Sequence, residues 1–207
     1  MARHYESKRE EIIASAENLL LARGFAGIKT DSVLKAAKVS QGGFFHHFKS
    51  IDDLIRALFA RLIGEFNEGM QKAQANDSGS KGSFARAYII ASLKPRKTAE
   101  WQRAVALSRA WIEIALAKPN LMKEIFSDPQ LLPDYYDLKM LSQLDPESAG
   151  MGLVLLMLAA DGLWLNETLG IKAFKPAERE RVIAALLRFS EIEYSDRVNT
   201  KQRKKST

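Results

Sequence analysis

The sequence has no cysteine and only three histidines among its 207 residues. Without cysteine, disulfide frameworks, thiolate zinc sites and cysteine nucleophiles are excluded. The three histidines, His4, His46 and His47, all lie near the start of the chain, and adjacent helical residues such as His46 and His47 point apart. No nucleophile elbow or paired-glycine fingerprint occurs. We therefore expect that the protein is not an enzyme and that it holds no metal and no cofactor.

A long hydrophobic run is also missing. The uncharged stretch at residues 148–160 is only 13 residues long, whereas a helix that spans a bilayer needs about 20 apolar residues. Residues 1–11 are polar and mixed in charge, unlike the apolar centre of a secretion signal. These features predict no membrane partner. They favour a cytoplasmic location, with which the lack of cysteine is compatible.

Positive charge is concentrated at the two ends of the chain. The formal net charge is +6. Residues 1–50 hold 8 Lys and Arg against 5 Asp and Glu, and residues 197–207 hold 5 Lys and Arg with no acid, so the middle is mildly acidic. A basic end beside a neutral body is the charge distribution that binding to a polyanion requires. The basic tail at 197–207 is also explained as a disordered, solvated terminus.

Apolar residues recur with a helical period almost throughout, and no alternating strand pattern occurs. Prolines fall between the helical segments, where they are tolerated. The sequence predicts an all-α fold of about nine helices. Beyond the first three helices and a long fourth one, the predicted helices lie at about 83–94, 98–118, 120–126, 129–143, 147–169 and 176–193.

Two short helices, at about 30–37 and 41–46, are joined by the tight turn at Lys38, Val39 and Ser40. Ser40 is placed to cap the second helix. A unit of this kind presents its second helix outward, and the major groove of DNA is wide enough to accept it. The residues predicted to bind DNA are Lys29, Thr30, Lys38, Gln41, Gly42, Gly43, Phe44, Phe45, His46, His47 and Lys49.

Within this set, Gln41, Gly43 and Phe44 are predicted to read bases. The amide of Gln41 is suited to an adenine edge. His46, His47 and Lys49 are predicted to bind phosphates, which set register and most of the affinity. The alternative for the phenylalanines is that they belong to the hydrophobic core.

The segment resembles the DNA-binding domain of the tetracycline-repressor (TetR) family. The resemblance is carried by Gly24-Phe25, by Val33-Leu34-x-Ala36-Ala37-x-Val39-Ser40-x-Gly42, and by Phe45-His46-His47-Phe48-x-Ser50-x-x-x-Leu54. It implies a homodimer in which each N-terminal unit enters a major groove of a near-palindromic operator. It also implies a C-terminal domain whose small-molecule ligand releases the DNA, and a role as a repressor.

This reading divides the chain into a helix-turn-helix DNA-binding domain at 1–50, a helical ligand-binding and dimerisation domain at 51–196, and the basic tail. Aromatic, Met and Asp side chains are candidates for an apolar ligand pocket with a few polar groups, with core packing as the alternative. The ligand candidates are Trp101, Trp111, Met122, Phe126, Tyr135, Met157, Asp161 and Trp164. The candidates for the dimer interface are Leu153, Met157, Leu158, Val182, Leu186 and Phe189.

Four positions depart from the family pattern. Lys38 replaces a glycine, Phe45 replaces a tyrosine, Gln41 replaces a lysine or arginine, and Ile51 replaces a lysine. The replacements at Phe45, Gln41 and Ile51 remove usual phosphate contacts. They leave open a second hypothesis, a dimeric helical module that binds small molecules or a protein partner and has weakened DNA binding.

Overall fold

The computed structural model describes residues 2–79, 82–93, 98–131, 137–145 and 150–192. Within these ranges the chain forms ten α-helices, a short 3-10 helix at Phe25–Gly27 and no β-strand, which confirms the predicted all-α fold. The helices are α1 (Ala2–Arg23), α2 (Thr30–Ala37), α3 (Gln41–His47), α4 (Ile51–Ala75), α5 (Ser83–Leu93), α6 (Thr98–Ala117), α7 (Pro119–Phe126), α8 (Leu138–Leu144), α9 (Met151–Leu169) and α10 (Pro176–Ile192).

The helix predicted at 129–143 is wrong in its first part, because residues 129–131 form a turn. The carboxylate of Asp128 accepts a hydrogen bond from the backbone N of Gln130 at 2.9 Å, which holds that turn. Asp137 then caps α8 by accepting from the backbone N of Lys139 at 2.8 Å. Local side-chain hydrogen bonds therefore override the apolar pattern at this point.

The chain packs as two compact units. The first consists of Met1–Gly64 and Arg96–Pro133, and the second of Glu65–Pro95 and Asp134–Thr207. In the first unit, α6 and α7 share one core with the three N-terminal helices and the first half of α4. Fully buried side chains of this core are Ile12, Val33, Phe44, Leu54, Ile55, Ile114 and Ile125. The domain boundary predicted at residue 50 remains a prediction.

The junction between α1 and α2 depends on Gly24. Its φ of 61° lies in the region that favours glycine, and a Cβ there would meet a carboxylate oxygen of Glu113 at 2.8 Å. The same carboxylate accepts a hydrogen bond from the backbone N of Phe25 at 2.8 Å. Because Glu113 belongs to α6, this contact joins α6 to the segment that leads into the helix-turn-helix.

The second unit packs α5, α8, α9 and α10 with the last part of α4. Two arginines hold it together at its polar points. The buried Arg86 binds Asp77 with N–O distances of 2.7 and 3.2 Å, and this hydrogen bonding lowers the pKa of Asp77. Arg179 pairs with Glu167 and donates to the carbonyl O of Leu93 at 2.7 Å, so it caps the end of α5.

Among the described helices, α9 is long and apolar enough to cross a membrane by length and composition. However, Leu153, Met157 and Ala160 of this helix lie in the core of the second unit, each at most 2% exposed. A core helix satisfies the same criterion of length and composition.

Candidate nucleic-acid interface

The helix-turn-helix is formed by α2, a three-residue turn and α3. Lys38 ends α2 in the left-handed conformation, with φ 51° and ψ 49°, and the backbone N of Val39 donates to the carbonyl O of Leu34 at 3.1 Å. Ser40 begins α3, and its hydroxyl oxygen accepts from the backbone N of Gly43 at 3.1 Å. The capping role predicted for Ser40 is confirmed, and Lys38 adopts the conformation for which the family uses glycine.

One side of α3 is part of the core. Phe44 is 0% exposed and Phe48 is 2% exposed, and their ring centroids lie 5.7 Å apart. The prediction that Phe44 reads bases is therefore wrong, because a fully buried ring cannot contact a base edge. Instead, Phe44 and Phe48 anchor α3 and so fix which of its residues face outward.

The other side of α3 is open. Gln41, Gly42, Phe45 and His46 of α3 are all exposed, and their spacing of one, three and one residues places them on one helical face. Lys49, two residues beyond the end of α3, is also exposed. Phe45 is 47% exposed, which is unusual for a phenyl ring. A Cβ at Gly42 would meet no atom within 4 Å, so the backbone is accessible there.

Further predicted contacts flank this face along the chain. Lys29 and Lys38, at the two ends of α2, are exposed, and Thr30 and Gly43 are half-buried. The acidic residues that follow are engaged in other contacts. Asp53 accepts from the backbone N of Lys49 at 3.0 Å, and Asp52 pairs with the Nζ of Lys118 at 2.8 Å.

His47 lies at the edge of the exposed face and is half-buried. Burial lowers the pKa of His47 from its usual 6.5, and the charges of His46, Arg9 and Lys8 lower it further. The guanidinium of Arg9 stands over the ring of Phe48, 5.0 Å from its centroid. Lys8 and Arg9 of α1 were not among the residues predicted to bind DNA, although two adjacent basic residues in this basic region could have been identified from the sequence as candidates.

The predicted ligand residues fall into both compact units. Trp101, Trp111, Met122 and Phe126 belong to the first unit, whereas Met157, Asp161 and Trp164 belong to the second. Tyr135 lies outside the described residues. Met122 and Met157 are at most 5% exposed and pack in the two hydrophobic cores, so the structure places them with core residues.

Two aromatic arrangements surround members of this set. In the first unit the ring of Phe59 stands edge-on to Trp111, with centroids 4.7 Å apart, and to Phe126, with centroids 5.7 Å apart. In the second unit the hydroxyl of Tyr88 donates to Oδ1 of Asp161 at 2.7 Å. The partner expected for an acid within an apolar helix is therefore a side chain of the same unit.

The predicted dimer residues differ in exposure. Leu158 and Phe189 are each 53% exposed, and Val182 and Leu186 are half-buried. Leu153 and Met157 are buried in the core of the second unit, so they do not form part of an exposed face, and including them was wrong. The helical period puts other α9 residues on the surface, namely Met151, Leu155, Leu165 and Leu169.

Comparison with known proteins gives matches along both parts of the chain. The family model "Bacterial regulatory proteins, tetR family" matches residues 12–58, and the model "Tetracyclin repressor-like, C-terminal domain" matches residues 82–191. The HTH-type transcriptional repressor NemR of Escherichia coli (strain K12) is 30% identical over 94 residues, which are 45% of this chain and 47% of NemR. The chain thus spans about half the length of this relative.

Solved structures share the fold. A transcriptional regulator from Rhodococcus sp. Rha1 has a TM-score of 0.63 at 19% identity and is matched over 86% of this chain and 93% of its own. The Flavonoid-responsive Regulator FrrA has a TM-score of 0.58 at 22% identity, over 89% and 95% of the two chains. Since the second family model alone covers more than half of the chain, the protein belongs to the TetR family of bacterial transcriptional regulators.

Proposed function

We propose that this chain is a repressor that binds near-palindromic double-stranded DNA as a homodimer and is released from it by a small-molecule effector. The observation that carries this proposal is the position of α3. Phe44 and Phe48 fix its apolar side in the core, its exposed side presents Gln41 and His46, and Lys49 is exposed just beyond its end. Such a helix is suited to the major groove, with basic groups at its end for phosphates.

The effector response is supported by the position of α6. Glu113 of α6 accepts from the backbone N of Phe25 at 2.8 Å. Arg103 of α6 binds Glu17 of α1 at 2.6 Å, and Arg61 of α4 also reaches Glu17, at 3.5 Å. A ligand that displaces α6 would therefore alter these contacts with α1 and Phe25, and with them the stability of the helix-turn-helix arrangement that binds DNA. FrrA, described as flavonoid-responsive, has the same fold.

The homodimer is supported by exposed apolar side chains on α9 and α10. Leu155 is 63% exposed, and Leu158 and Phe189 are each 53% exposed. Large apolar side chains grouped on neighbouring surfaces are typical of protein interfaces. A cytoplasmic location and the absence of enzymatic activity are part of the same proposal, in which His46 and His47 of α3 serve to bind DNA.

Selection of DNA fragments from random and native genomic pools tests DNA binding. Enrichment of a palindromic site at low salt is expected, and no enrichment would favour the alternative of a small-molecule or protein-binding module. Lys49→Ala should weaken binding to all sequences alike and flatten the salt dependence, whereas Gln41→Ala should change the base preference. Lys72, exposed on α4 and paired with Glu68 at 3.8 Å, provides a matched control, and Lys72→Ala should bind as the wild type does.

A further inference from the structure

Trp111 of α6 carries a buried hydrogen-bond donor with no acceptor. Within the part of the chain that the structure describes, its Nε1 is buried and has no hydrogen-bond partner. The indole N–H is a donor only and has no other way to be satisfied. Because nearly all buried polar groups in folded proteins are paired, this donor indicates that an acceptor from outside the chain completes the site.

The surroundings of Trp111 are aromatic and come from three helices. Phe59 of α4 stands edge-on to the indole, with an interplanar angle of 86°, and Phe126 of α7 stands edge-on to Phe59 at 75°. Phe59 is 7% exposed, whereas Phe126 is 61% exposed and is the last residue of α7. The ring of Phe126 therefore forms the solvent-exposed end of this aromatic cluster. Apolar rings with one polar group are the usual lining of a small-molecule site.

We propose that Trp111 Nε1 is the donor of an effector site built from α4, α6 and α7, and that its ligand is a planar aromatic compound with a neutral acceptor such as a carbonyl oxygen. A hydrocarbon would leave the donor unsatisfied. A carboxylate would place a charge among aromatic rings, which is costly without a paired cation. This inference rests on the proposed effector response and specifies its ligand class.

The site is placed to act on the helix-turn-helix. Trp111 and Glu113 are two residues apart on α6, so their side chains point to nearly opposite sides of the helix. Trp111 faces Phe59, and Glu113 holds the backbone N of Phe25. A ligand that moves α6 from the Trp111 side therefore displaces the acceptor of Phe25 on the other side.

The test observes the indole N–H directly in the full-length, 15N-labelled chain. The probes are acetophenone and 2-acetylnaphthalene, with α-methylstyrene and 2-isopropenylnaphthalene as hydrocarbon controls of the same shape that lack the carbonyl acceptor. The three indole signals are assigned by their loss in Trp101→Phe, Trp111→Phe and Trp164→Phe. A downfield shift of the Trp111 indole proton is expected with one of the ketones and not with its hydrocarbon.

Affinities measured by titration complete the test. A ketone should bind about tenfold more tightly than its hydrocarbon, which corresponds to one hydrogen bond, and Trp111→Phe should remove this preference while Trp101→Phe preserves it. Phe126→Ala should weaken the ketone and the hydrocarbon alike. Equal binding of ketone and hydrocarbon, or a shift only at Trp101 or Trp164, would overturn the proposal, as would the failure of both ketones to bind. Since no DNA is present, a failure of the proposed DNA binding leaves this readout unchanged.

Discussion

Replacing Lys38 with glycine should stabilise the protein and at the same time weaken its binding to DNA. Lys38 has φ 51° and ψ 49°, and it is the one non-glycine residue with positive φ in the described part of the chain. The left-handed conformation costs an L-residue about 1–2 kcal/mol, because Cβ approaches the following carbonyl oxygen. Glycine avoids this cost but has a more flexible unfolded state, worth about 0.4–1 kcal/mol. The net gain should be about 0.5–1 kcal/mol.

The expected loss of DNA affinity comes from the side chain. The ammonium group of Lys38 is on an exposed residue at the turn between α2 and α3, next to the face that is proposed to enter the groove. Each phosphate neutralised by a cation contributes about 0.9 to the slope of log affinity against log salt. Removing one such contact should flatten the slope by about that amount.

Lys38→Ala separates the two effects, because alanine keeps the backbone strain and loses the charge. Thermal unfolding should give Lys38→Gly a melting temperature about 1–4 °C above the wild type for a chain of this length, and Lys38→Ala should not share this gain. Both variants should show the same flattened salt dependence of DNA binding. Equal melting temperatures of the glycine and alanine variants would refute the strain, and an unchanged salt slope in both would refute the phosphate contact.

Three further predictions concern other positions. Phe45→Tyr adds a hydroxyl to a ring that is 47% exposed and should tighten DNA binding about two- to tenfold, as measured by fluorescence anisotropy. An unchanged affinity at low salt would show that no phosphate lies within reach of this hydroxyl. DNA binding by the wild type should tighten from pH 8 to pH 6. In the free protein the pKa of His47 is lowered, and a DNA phosphate beside the ring raises it, so that binding takes up a proton. His47→Asn should lose part of this pH dependence, and a variant with the same pH profile as the wild type would contradict the contact between His47 and phosphate. Gly24→Ala should lower the free energy of unfolding in urea by about 2 kcal/mol or more, because of the positive φ and because the new Cβ would lie 2.8 Å from a carboxylate oxygen of Glu113. Gly42→Ala, whose Cβ would meet no atom within 4 Å, should not lower it. Equal losses of unfolding free energy in the two variants would show that position 24 does not require glycine.

The elements that the sequence predicts well are those with local physical causes. The bounds of α2 and α3 follow from the turn at Lys38 and the cap at Ser40. The hydrogen bonds that hold this turn and this cap join residues no more than five positions apart in the sequence. The start of α4 is held by an interaction of the same local kind, since the hydroxyl oxygen of Ser50 accepts from the backbone N of Asp53 at 3.1 Å. Interactions of this range are encoded in neighbouring residues, so one sequence suffices to find them.

The three phenylalanines near α3 show where local patterns are insufficient. Phe44, Phe45 and Phe48 have the same apolar character, and the sequence predicted DNA contacts for Phe44 and Phe45 with core packing as the alternative. The four-residue spacing of Phe44 and Phe48 places them on one face, and this is the pair that the structure buries. The decision between inside and outside depends on α1 and α4 packing against that face, which is a long-range property.

Which of the candidate residues needs a ligand depends even more on long-range packing, because only the structure shows which polar groups already have partners. Asp161 interrupts an apolar helix, where an acid needs a hydrogen-bond partner. Tyr88, 73 positions earlier in the chain, supplies a donor at 2.7 Å, so Asp161 no longer requires a ligand. Trp111 required nothing in the sequence, yet its buried Nε1 has no partner among the described residues. The unsatisfied donor of Trp111, and not the acid of Asp161, is the group that a ligand would complete.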